Sequence, residues 1–129
     1  MSNQGNILVW VPISVNEKHG LLYTTSRWSG PQTPIIVQDV IRDGFNWLSP
    51  SEEGATPRVG DLLSHLIKHE SVYLPIVKLG NTDTPTVHID ENQVTWFREH
   101  DMKTLGTWTF SQYALLNLKN LPLYNEHYE

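Results

Sequence analysis

At 129 residues the chain has the size of one domain, and the absence of cysteine removes both a disulfide framework and thiolate chemistry. Fourteen acidic against nine basic residues set a net charge of -5, with the cations scattered singly between Lys18 and Lys119, which excludes the basic footprint that phosphate contacts require. Charged residues are only 18% of the chain and hydrophobic ones 39%, so neutral polar groups must finish the surface, and no apolar run reaches the roughly 20 residues that cross a bilayer.

The first six residues carry no basic side chain, and Pro12 interrupts the apolar run that follows. The start of the chain therefore does not read as a secretion signal, and the expected location is cytoplasmic. Ile7, Leu8, Val9, Trp10 and Val11, then Ile13 and Val15, read as a strand covered on two sides, with Pro12 favouring a sheet edge or a bulge. A turn over 16–20 leads into a second strand over 21–28, which makes an N-terminal hairpin.

Two helices are expected next, each opened by a Thr-Pro pair at Thr33 and Thr56. The threonine hydroxyl is an N-cap acceptor, and a proline at the first helical position loses nothing because its N–H would have no intrahelical partner. Ile36, Val37, Val40 and Ile41 recur at helical spacing and predict a helix over 34–43, with Gly44 as its stop or kink. Val59, Leu62, Leu63, Leu66 and Ile67 predict a second helix over 57–70, with Asp61 in the first turn where the helix dipole favours a carboxylate. Residues 49–55 between the two form a polar loop by composition.

The chain then returns to strands. Residues 72–79 read as one, interrupted by Pro75, and a turn follows over 80–83. Residues 86–89 and 94–97 flank the polar loop 90–93 as a hairpin, 107–110 suggest a further strand, and 113–118 fit a closing helix or a strand equally. The last stretch, 121–129, is too aromatic for a free tail and is expected to pack on the domain or on a partner. Helices segregated from strands predict an α+β fold: a single domain over 1–129 with a mostly antiparallel sheet of about five or six strands and the two helices inserted after the hairpin.

Chemistry is harder to find. His65 and His69 lie four apart on the second predicted helix, so their rings face the same way and offer a divalent metal two ligands, with Glu70 or a distant carboxylate to complete the set. The glutamate that directly follows the first histidine in zinc peptidases is missing, and both positions border the apolar face, where half-exposed histidines are ordinary. His88 and Asp90, with Glu99, His100 and Asp101 beyond the partner strand, supply a histidine and carboxylates for acid-base work, against the plainer reading of solvated turns. There is no strand-turn-helix serine elbow and no glycine-rich phosphate loop, and no cofactor is expected.

Five tryptophans are spread along the whole length. Arg27 with Trp28, Trp96 with Arg98, and Tyr124 with Tyr128 are residue types enriched at protein-contact hot spots, although a core of this size needs as many aromatics. The composition points to a small non-enzymatic protein-binding module, an inhibitor or accessory factor that blocks a partner protein's surface with those six residues. The competing expectations are a metal-dependent or histidine-based enzyme centred on His65, His69 and His100, and a structural subunit of a larger phage or viral assembly built on contacts between copies. In each case direct nucleic-acid and membrane binding are not expected.

Overall fold

A computed structural model describes residues 4–25, 29–48, 55–69, 72–73 and 84–128. Six strands, β1 (Asn6–Pro12), β2 (Lys18–Thr25), β3 (Val72–Tyr73), β4 (Thr86–Asp90), β5 (Gln93–Arg98) and β6 (Lys103–Thr109), form one sheet in the order β3-β2-β1-β4-β5-β6. Neighbours run antiparallel except β1 and β4, which are parallel, with Ile7, Leu8 and Val9 opposite Val87, His88 and Ile89. Four α-helices lie among the described residues: α1 (Thr33–Asn46), α2 (Val59–Lys68), α3 (Phe110–Leu115) and α4 (Pro122–Tyr128). The expected α+β class, with two helices inserted after an N-terminal hairpin, is the class observed.

Side chains alternate across a strand, and that alternation selects the core here. Ile7, Val9, Tyr23, Val87, Ile89, Val94 and Trp96 share one face and pack with Ile36, Val37, Val40, Ile41, Leu62, Leu66, Phe110 and Tyr113 from the helices. On the opposite face Leu8, Trp10, His88, Thr95 and Phe97 are half-buried. The expectation of a first strand extending to Val15 is corrected: β1 sits inside the sheet and ends at Pro12, which has no N–H to continue the ladder, and Ile13 and Val15 are exposed beyond it.

Both helix openings differ from the expected Thr-Pro caps. A single 3₁₀ turn over Gly30–Gln32 precedes α1, so Thr33 is already helical and its hydroxyl donates to the Ser29 carbonyl at 3.3 Å. The second helix begins at Val59 rather than 57: Arg58 holds extended backbone, and its N–H donates to the Asp61 carboxylate at 3.1 Å, the half of a capping box that a residue three positions on can supply. Pro57 is buried instead against α1.

Gly44 does not stop α1, which runs on to Asn46. A Cβ at Gly44 would lie 2.6 Å from Leu62 Cδ2 and 3.1 Å from Pro57 Cβ, so the missing side chain is what lets α2 and its lead-in approach. Gly106 works similarly in β6: a Cβ there would meet the Trp108 indole at 2.6 Å.

The predicted hairpin of β4 and β5 is tighter than a four-residue loop. Asp90 pairs with Gln93, leaving Glu91 and Asn92 as a two-residue turn, with Asn92 at φ 65, a left-handed conformation that asparagine tolerates better than most residues. The segment 113–118, open to either reading, is α-helical only as far as Leu115, and Phe110, expected to close a strand, already belongs to α3. Thr109 Oγ1 accepts from the Gln112 N–H at 3.1 Å while Gln112 Oε1 accepts from the Thr109 N–H at 2.9 Å, a reciprocal capping box that opens α3. The aromatic end folds back as α4, with Tyr124 and Tyr128 buried.

Candidate functional site

Three of the six residues expected to make contacts lie in the core. Trp96 is 0% exposed, and its ring centroid sits 4.7 Å from Trp108, 5.1 Å from Tyr128, 6.3 Å from Tyr113 and 6.4 Å from Tyr124. The Tyr124 and Tyr128 hydroxyls donate inward, to the carbonyls of Pro31 at 2.7 Å and Pro85 at 3.0 Å. These rings join α4 to the sheet and are not presented to a partner, because the β5 register that places Val94 inside places Trp96 there as well. Arg98 is half-exposed and forms a fork with Asp101, Nε to Oδ1 at 2.9 Å and Nη2 to Oδ2 at 2.6 Å, which holds the Asp101 carboxyl below its ordinary range. Arg27 and Trp28 lie outside the described residues, as do the loop 49–54 and positions 74–83.

The histidines divide into separate places. His65 is on α2 with its ring 5.6 Å from that of Trp47, and His69 is where α2 ends in extended backbone. His100 is in a 3₁₀ turn after β5 and is exposed. Among the described residues, no three His, Asp or Glu side chains gather as metal coordination requires.

His88 is held on several sides. Trp10 Nε1–H donates to its Nδ1 at 3.3 Å, so the neutral ring carries its proton on Nε2. The Phe97 ring stands edge-on at 5.3 Å, and Glu99 Oε1 is 3.9 Å from Nε2, an ion-pair distance longer than a hydrogen bond. Burial pushes the His88 pKa below its ordinary 6.5, opposed by the nearby carboxylates of Glu99 and Asp90, the latter itself paired with Lys18 at 2.8 Å.

A folded state that resists protonation loses ground once the unfolded chain starts taking up protons. The His88 contribution to stability is therefore present above pH 6.5 and lost as pH falls from there towards the lower folded value. Following the ring proton by NMR across this range should give a His88 midpoint below 6.5 that falls further in Glu99→Gln. A midpoint above 6.5 in the native protein would mean that Glu99, not burial, dominates the ring.

The exposed apolar groups are elsewhere. Leu115 is 86% exposed at the end of α3, and Trp47 is 76% exposed just after α1. Beside Leu115 a groove of about 490 Å³ runs between α1 and α3, lined by Arg42, Phe45, Asn46, Ser111, Ala114 and Leu115. A second depression of about 340 Å³ continues it towards Ile35, Gln38, Leu116 and Leu118, sharing Arg42 and Leu115. Two side chains fasten its walls together: Gln38 Nε2 donates to the Tyr113 and Leu116 carbonyls at 2.9 and 2.7 Å, and Arg42 Nε donates to the Ala114 carbonyl at 2.8 Å. Sequence reasoning missed this site, although helical spacing from Phe110 and Tyr113 puts Leu115 off the buried face.

A larger cleft, about 580 Å³, opens at the carboxyl ends of β1 and β4, between Pro12, the start of α2 and the Glu91–Asn92 turn. Its ionic lining is mixed, with Arg58 beside Asp61 and Glu91, and the Asp61 carboxylate is already engaged in capping α2. No protein family, curated protein or solved structure matches the chain.

Proposed function

We propose that the chain is a non-enzymatic protein-binding module that acts by occupying a partner protein's surface, and that its contact site is the groove between α1 and α3. The observation that carries this reading is Leu115, a large apolar side chain 86% exposed at the lip of an apolar groove whose walls are fastened by buried and charge-assisted hydrogen bonds. Rigid apolar concavities of this kind lose little freedom when filled, which favours binding. An isolated exposed leucine is ordinary, whereas one that continues a groove with Phe45 and Ala114 gives a partner somewhere to place an anchor.

Leu115→Glu puts a charge at the lip without disturbing the core. Its melting temperature should match that of the native protein, while affinity for the partner recovered by capture from the native cell lysate should fall at least about tenfold. Identical capture and identical affinity for the two proteins would remove the groove from the reading. Sedimentation at rising concentration separates the assembly reading: self-association present in the native chain and absent in Leu115→Glu would assign the groove to a second copy.

A further inference from the structure

We infer that the groove between α1 and α3 receives an amphipathic segment of a partner protein that carries a carboxylate between two apolar anchors. This rests on the protein-binding reading of the same groove and adds the chemistry of what binds there. The chain has fourteen acidic residues and a net charge of -5, yet among the described residues the lining of the groove and its continuation carries the Arg42 guanidinium at the junction and no acid. Asp39 and Asp43, exposed neighbours of Arg42 on α1, line neither part.

Arg42 and Leu115 line both parts of the groove and so mark their junction, with Phe45 and Ala114 on one side of it and Ile35, Leu116 and Leu118 on the other. Along α1 the interval from Ile35 to Asn46 spans about 16 Å, enough for about three turns of a bound helix or five extended residues. The Arg42 guanidinium is already held through Nε on the Ala114 carbonyl at 2.8 Å. A planar fork fixed in this way meets a carboxylate with less ordering cost than a free side chain. An apolar segment without an acid would leave the guanidinium to be partly desolvated with nothing in return.

The test is selection of a displayed library of random short peptides on the native protein, followed by calorimetric titration of the enriched peptides. Enriched sequences should place Asp or Glu between apolar residues and lose binding to Leu115→Glu. Arg42→Glu should weaken them about tenfold, with binding restored when the peptide's acid is changed to lysine. The reversal of charge preference distinguishes pairing from damage to the fold, since a distorted groove would not be rescued by an altered peptide. Peptides that need Leu115 but carry no acid and ignore Arg42 would overturn the inference and leave the docking reading standing. Enrichment of nothing, or only of peptides indifferent to Leu115→Glu, would overturn both. Self-association abolished by Leu115→Glu would give the groove to a second copy and overturn the partner assigned here.

Discussion

Replacing Trp96 by alanine should lower stability by about 3–5 kcal/mol, the range for losing a fully buried large aromatic, and depress the melting temperature by about 10–20 °C. The indole is the hub of the aromatic cluster: four other rings, from β6, α3 and α4, lie within 6.4 Å of its centroid. Its Nε1–H donates to the Tyr113 hydroxyl at 3.3 Å, and that hydroxyl donates to the Pro34 carbonyl at 2.8 Å, so truncation also strips a partner from a chain of bonds reaching α1. A domain of this size has about 5–15 kcal/mol in total, so the alanine variant loses a large share of its stability. Trp96→Phe keeps the variant measurable: it retains most of the packing, loses the indole N–H, and should cost about 1–2 kcal/mol. Differential scanning calorimetry on both checks the ranking. If alanine at Trp96 shifted the melting point by only a few degrees while weakening partner binding, the ring would be a contact residue after all and its placement in the core would be wrong.

Trp96 and Trp47 are the same residue type with opposite fates, one 0% and the other 76% exposed. Burial is settled by which strand or helix lies opposite, and neither tryptophan carries that information locally. Trp96 is inside because β5 pairs with β4 so that Val94 and Trp96 follow Ile89 and Val87 onto the helical face. Trp47 is outside because α1 has ended. What was legible was local: the strand character of β1, the spacing of the apolar residues in α1 and α2, and the polar turn between β4 and β5; the one-sided burial of β1 was not, because its residues are apolar on both faces. Gly44, whose type suggests a stop or a kink, is neither a stop nor a turn here for a related reason, since the same glycine ends a helix when the chain turns there and admits a neighbour when another helix crosses. The apolar run over 113–118 fits either period, and Phe110 continues the strand pattern of 107–109, so only the capping box of Thr109 and Gln112 marks where α3 begins. The parallel contact between β1 and β4, distant in the chain, brings the His88 and Trp10 rings together and had no sequence signal.

Gln38→Leu should cost about 2–4 kcal/mol, an effect concealed by the ordinary look of a glutamine on a helix. Gln38 is 5% exposed, and its Nε2 satisfies two carbonyls at the end of α3, those of Tyr113 and Leu116. Leucine keeps the volume and removes both donors, and each carbonyl left without this bond in a dry site costs about 1–3 kcal/mol, partly relieved where water enters. The last carbonyls of a six-residue helix have few intrahelical partners, so the damage should concentrate there. Amide hydrogen exchange over 113–118 should accelerate more than exchange in β1 and β4, which a uniform loss of stability would not produce. Because Ala114 and Leu115 are carried on this segment, the groove should loosen with it, and affinity for a bound peptide or partner should fall even though Gln38 touches the groove only at its far end. Unchanged exchange at 113–118 together with an unchanged melting point would mean that the two carbonyls find other partners and that Gln38 does not set the groove's shape.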